Sequence, residues 1–117
     1  MINSLPILVA SENEDFRSFL RSQLEKNGFF HIFEAETSSQ VEEFLNVQKE
    51  KSFTLLHHTL MNRSIVDNLY ERKEFIIIAP KDNDDLTIWS AQLGVKHFMS
   101  FPFSSTRLMD KMNEILH

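Results

Sequence analysis

The sequence predicts a doubly wound α/β domain: five parallel strands in the order 2-1-3-4-5, with helices on both faces and a short third helix. Three observations lead there. Five short apolar runs alternate with five longer stretches whose apolar residues recur at helical spacing. The runs are apolar at consecutive positions, the pattern of strands covered on both faces. Parallel strands also need crossover connections, and the intervening stretches supply them. A length of 117 residues suits one domain spanning the whole chain, 1–117.

The elements follow in order. Pro6 to Ala10 is the first strand. Asn13 to Asn27 is a helix with Phe16, Phe19, Leu20 and Leu24 on one side, stopped by Gly28. Phe29 to Ala35 is the second strand. Thr37 to about Lys49 is the second helix, capped by Thr37 or Ser38, with Val41, Phe44 and Leu45 inward. Phe53 to His57 is the third strand, and Ser64 to Arg72 a short helix. Phe75 to Ala79 is the most strand-like segment. Pro80 to Asn83 is a loop, and Asp84 to Leu93 a fourth helix closed by Gly94. Lys96 to Phe101 is the fifth strand. Ser104 caps a last helix with Leu108, Met112 and Ile115 on its apolar stripe. Right-handed crossovers in this order put any site at the carboxyl ends of strands one, three and four.

Composition removes several classes of function. The net charge of −5 argues against nucleic-acid binding, which needs clustered cations. Two glycines are too few for either glycine-rich phosphate loop, so dinucleotide and P-loop enzymes are excluded. The absence of cysteine excludes disulfides, thiolate catalysis and cysteine-based metal sites, and fits a reducing cytoplasm. No apolar run approaches the roughly 20 residues of a membrane helix. Met1 to Pro6 shows no basic region ahead of an apolar stretch, so no signal peptide is expected. Eleven phenylalanines are a heavy aromatic load, enough to fill a core and leave some for an interface.

The stretch Ile7 to Phe16, an apolar strand followed by the acidic cluster Glu12, Glu14 and Asp15, resembles the opening of a response-regulator receiver domain of two-component signal transduction. Gly28 to Leu45 resembles that family's second strand and second helix. Gly94, Phe98 and the Pro102-Phe103 pair resemble its last strand and the turn beyond it. The resemblance covers nearly the whole chain through order and spacing, and it implies the flavodoxin-like receiver fold.

It also implies a phosphorylation site. In the family, two acids after strand one bind Mg²⁺, an aspartate ending strand three takes the phosphoryl group, a Thr or Ser ends strand four, and a Lys ends strand five. The corresponding residues here are Ser11, Glu12, His57, Ala79 and Phe101. A one-residue slip would exchange His57 for His58 and still supply no aspartate. Mg²⁺ prefers hard oxygen ligands, and one carboxylate of three remains. An acyl phosphate has no nucleophile, and phosphate charge meets no cation at position 101. The resemblance is therefore to a degenerate pseudo-receiver, with no Mg²⁺-dependent phosphorylation, no cofactor and no enzymatic activity expected. The resemblance further implies a cis peptide at Phe101-Pro102, and Phe101 is expected to fold over the disused pocket.

His57 and His58, as neighbours in a strand, are expected to face opposite ways and so not to chelate one ion. His57 is expected to fill the disused pocket, with a pH-sensitive contact to Glu12 as the alternative. The run Asp82 to Asp85 lacks the glycine and terminal glutamate of a calcium loop and reads as a solvated helix cap.

The fourth helix carries two apolar stripes: Leu86, Trp89 and Leu93 on one side, Ile88 and Ala91 on the other. A helix on a sheet buries one, which leaves the Leu86–Trp89 stripe for a partner or for the third helix. In receivers, the face made by the fourth helix, fifth strand and fifth helix serves dimerisation and docking. Here Leu86, Trp89, Lys96 and Phe98 belong to it, and with Ala79 in strand four Phe98 has no switch partner, so the face is expected to hold one state. The expected function is a cytoplasmic, phosphorylation-independent protein-interaction module with a protein partner, including a second copy of itself. Two alternatives stay open: a small-ligand module using the altered pocket, and a receiver with an unorthodox acceptor such as His57.

Overall fold

The computed structural model describes residues 4–48, 50–81, 92 and 94–116. The predicted fourth helix, with Leu86 and Trp89, and the acidic run Asp82 to Asp85 lie outside the described residues.

Five parallel strands form one sheet: β1 (Ile7–Ala10), β2 (Ile32–Ala35), β3 (Phe53–His57), β4 (Phe75–Pro80) and β5 (Phe98–Phe101). Their order is β2-β1-β3-β4-β5, the order expected. Helices α1 (Glu14–Lys26), α2 (Ser38–Val47) and α3 (Arg63–Arg72) follow the first three strands, and a C-terminal helix (Ser105–Leu116) follows β5.

The consecutive apolar runs are explained by two cores, one on each face. Ile7 and Val9 of β1, Phe53 and Leu55 of β3, and Ile76 and Ile78 of β4 pack with Leu20 and Leu24 of α1 and Leu108 and Met112 of the C-terminal helix. Leu8 and Ala10, Leu56, and Phe75 and Ile77 pack the other way, against Val41 and Leu45 of α2 and Ile65 and Leu69 of α3. Side chains alternate across a strand, so a strand between two cores must be apolar at every position.

Side chains and one glycine terminate the helices. Asn13 Oδ1 accepts from Phe16 N at 3.0 Å to cap α1. At its other end Gly28 adopts φ 87°, with Phe29 N donating to Leu24 O and Gly28 N to Glu25 O, each at 3.1 Å. This is a Schellman closure, completed by the burial of Phe29 and Leu24 in one core. Thr37 caps α2 by accepting from Gln40 N, while Gln40 Oε1 accepts from Glu36 N at 2.7 Å. Asn62 caps α3 and Ser104 caps the C-terminal helix.

Two strands start two or more residues later than expected. β2 begins at Ile32 rather than Phe29, because Phe29 is used in the Schellman closure and Phe30 turns outward. The fifth strand begins at Phe98, after a 3-10 turn over Val95–His97. A second 3-10 turn, His58–Leu60, follows β3 directly. Among the described residues, no helix is long and apolar enough to cross a membrane.

Candidate functional site at the strand carboxyl ends

The carboxyl ends of β1, β3, β4 and β5 bring the five sequence-predicted pocket positions to one edge of the sheet. Ser11 follows β1, His57 ends β3, and Ala79 and Phe101 lie in the last turns of β4 and β5. In register, His57 lies beside Ile78, Ala79 beside Ser100 and Pro80 beside Phe101.

Ser11 is fully buried. Its N–H donates to Ala35 O, and its Oγ accepts from Asn13 N at 3.0 Å. His57 Nδ1 lies 3.0 Å from that Oγ and 3.3 Å from Thr59 Oγ1. The serine oxygen, which accepts from Asn13 N–H, can either donate its own proton to Nδ1 or accept a second hydrogen bond from it, so either ring tautomer satisfies the contact. Burial lowers the His57 pKa, and the neighbouring His58 lowers it further; Glu12 opposes them with a weaker pull. His57 is thus a neutral imidazole at neutral pH, bonded to hydroxyls. Glu12 is exposed and enters only as a distant charge.

Aromatic rings close the site above this pair. The Phe16 ring lies 4.7 Å from His57. Phe101 meets Phe16 edge-on at 5.1 Å, and Phe19 and Phe103 at 6.0 and 5.8 Å. The Phe101-Pro102 peptide is cis, as the resemblance implied. Ala79 is buried and presents only a methyl group. A nearby cation, Arg17, is turned away: its Nη1 donates to Ser11 O at 2.6 Å and its Nε pairs with Glu34.

One expectation is corrected. His57 and His58 do not face opposite ways; their rings meet edge-on at 4.9 Å. Strand alternation no longer applies, because β3 ends at His57 and His58 starts a 3-10 turn. Among the described residues, no group of three or more His, Asp or Glu side chains is placed to hold a metal ion.

Sequence reasoning did not assign Phe16, Thr59 or Arg17 to the site. The signal for Phe16 was its place in the first turn of α1, which sits over the end of β1. Of the predicted interaction surface, Lys96 is exposed in the 3-10 turn before β5, and Phe98 packs half-buried against the α2–α3 core. Leu86 and Trp89 lie outside the described residues.

The Ser11–His57 pair has the spacing of a nucleophile and its base, but a buried hydroxyl offers no approach to a substrate. Nor do the five aligned residues fit the Mg²⁺ that receivers use: among them Glu12 alone is a carboxylate, and His57 nitrogen and Ser11 hydroxyl are poor partners for a hard cation. A separate cleft of about 830 Å³ opens at the opposite end of the sheet, beside Gln48, Ser52, Asn68 and Glu74. Arg72 lines that cleft, but its guanidinium is occupied by the Leu45 and Gln48 carbonyls and Asn68.

This sheet order, with the site at these strand ends, defines the receiver fold of response regulators. The bacteriophytochrome response regulator AtBRR superposes with a TM-score of 0.77 at 16% identity, covering 96% of this chain and 92% of that one. A receiver protein from Sinorhizobium medicae gives 0.77 at 15% identity, over 99% and 97%. A Burkholderia pseudomallei response regulator, whose structure holds a phosphorylated aspartic acid and a calcium ion, gives 0.71 at 15% identity, over 93% of this chain and 66% of that one. No protein-family model matches the chain, and no curated protein does.

Proposed function

We propose that this chain is a pseudo-receiver: a non-enzymatic, cytoplasmic protein-interaction module of bacterial-type two-component signalling that works without aspartyl phosphorylation. The observation that carries the reading is the end of β3. Where a receiver needs an ionised carboxylate, His57 stands neutral, held by the buried Ser11 hydroxyl and covered by Phe16. Phe101 supplies a ring where phosphate would need a cation, and that ring is packed against three others. The same ring cluster counts against a small-ligand module at this place.

With no phosphate to respond to, the module presents a constant face. The sequence favours the face of the fourth helix, β5 and the C-terminal helix, through Leu86, Trp89, Lys96 and Phe98, for a protein partner or a second copy.

The test is to add Mg²⁺ with fluoroberyllate, a phosphoryl mimic, and follow Trp89 fluorescence and the melting temperature. No change in either is expected. A saturable response that requires Mg²⁺ would overturn the proposal. For the face, light scattering of the wild type and Trp89→Asp is compared at high concentration; identical monomers would remove homodimerisation through Trp89.

A further inference from the structure

We propose that the β2 edge and the outer side of α2 form a docking surface for a basic, amphipathic segment of a partner protein. This edge is the one opposite β5 in the sheet.

The apolar side chains at this edge are uncovered. Phe30, just before β2, is 71% exposed, and Phe33 on this edge strand is 40% exposed. The Phe33 ring lies 5.0 Å from His31 and 5.4 Å from Phe44 of α2. Val47, one helical turn beyond Phe44, is 73% exposed. Large apolar side chains gathered on one edge cost solubility unless something covers them.

Charge selects the occupant. Glu43 is exposed on α2, next to Phe44 in the chain and one helical turn before Val47, and α2 carries two glutamates with no lysine or arginine. On the α1 side, Arg17 and Arg21 are already engaged by Glu34 at 3.1 and 3.0 Å. Glu36 keeps one long contact with Arg17 at 3.9 Å, and Glu43 makes no ion pair among the described residues. An apolar strip with an acidic rim is complementary to apolar anchors flanked by lysine or arginine. A second copy would set acid against acid, and anionic lipid or nucleic acid would be repelled.

Lateral strand addition is also disfavoured. Ile7 N and Ser11 N bond the carbonyls of His31 and Ala35, so the Ile32 and Glu34 backbone faces outward. Arg21 Nη2 covers the Ile32 carbonyl at 3.4 Å, which blocks the edge. The partner therefore docks through side chains, as an amphipathic helix does.

The experiment uses a fluorescent amphipathic peptide of leucine and lysine at helical spacing, and the same peptide with glutamate for lysine. Anisotropy is expected to show binding of the lysine peptide only. The Phe30→Ser/Phe33→Ser variant is expected to weaken it about tenfold or more, a loss typical of removing central aromatic anchors. Val47→Ser and Glu43→Lys are expected to weaken it too; both change exposed side chains, so they serve if the phenylalanine variant misfolds. The proposal is overturned if both peptides bind alike, if the lysine peptide does not bind, or if these variants leave binding unchanged. A wild-type dimer that Phe33→Ser dissolves would overturn it as well, assigning the surface to a second copy.

Discussion

The Ser11 hydroxyl and the His57 imidazole, 46 residues apart in sequence, stand 3.0 Å from each other and join the ends of β1 and β3. Ser11 Oγ also receives the Asn13 N–H, so one buried oxygen serves both the strand end and the entry to α1. Ser11→Ala strands the Asn13 N–H and leaves His57 Nδ1 only its longer contact, 3.3 Å, with Thr59 Oγ1. The expected loss is about 1–3 kcal/mol, the cost of stranding a buried polar group, read from urea unfolding at neutral pH.

Ser11→Asp tests the same contact electrostatically. A carboxylate beside Nδ1 favours the imidazolium, so the His57 pKa is expected to rise from its lowered value. An NMR titration of the ring protons reads it. An unmoved or lowered pKa would show that residue 11 does not contact His57.

Stability is expected to fall with pH below about 6.5, the ordinary histidine value. His97 is buried, stacked on Phe75 at 4.1 Å, with Nδ1 3.0 Å from Phe75 O. Its pKa is lowered by burial, against the raising effect of the Phe75 carbonyl; Lys96 and Lys111 lower it further and Glu74 raises it. The His57 pKa is lowered as well. For both groups the unfolded chain takes up a proton more readily than the native state. Their contribution is therefore complete above the unfolded pKa and is lost as pH drops through 6.5 towards the lower native value. Urea midpoints should fall between pH 7.5 and 5, and His97→Phe, which keeps a ring on Phe75, should show a smaller fall. An equal slope in that variant would remove His97 from the account.

Arg72 of α3 binds the Leu45 and Gln48 carbonyls at the end of α2, and Asn68 on its own helix. A cation there satisfies carbonyls that the helix leaves open and suits the negative end of its dipole. Arg72→Ala is expected to cost about 1–3 kcal/mol, and Arg72→Lys to recover part of it, since an ammonium cannot reach all three partners in the same plane. Thermal unfolding of both variants checks the order.

Phe101 is 41% exposed but touches three phenylalanine rings. Phe101→Ala is expected to destabilise by about 1–2 kcal/mol, less than a fully buried ring, because each edge-to-face pair adds a modest amount beyond area. A loss near zero would mean the cluster does not hold the strand end.

Much of this molecule was legible in its sequence. Ile7-Leu-Val-Ala10 and Phe75-Ile-Ile-Ile-Ala79 announced strands between two layers, and the structure places their residues alternately in two cores. Gly28 marked the end of α1, and Thr37 and Ser104 marked starts. These signals are local, because an apolar run, a cap or a left-handed turn is set by residues adjacent in the chain. That a histidine ends β3 was equally visible, because it needs only the extent of one apolar run.

What the tertiary structure decided is who meets whom. No pattern around His57 indicates that its partner is Ser11 rather than Glu12, and none around His97 points to Phe75, 22 residues before it. Phe29 looked like strand and became the closure of a helix, because its contact with Leu24 offered more than one further residue on an edge strand. His57 and His58 looked opposed and became neighbours once the chain turned after β3. Periodicity records which side of an element is apolar; the partner across a gap depends on how separate elements are brought together, and that is a property of the whole fold.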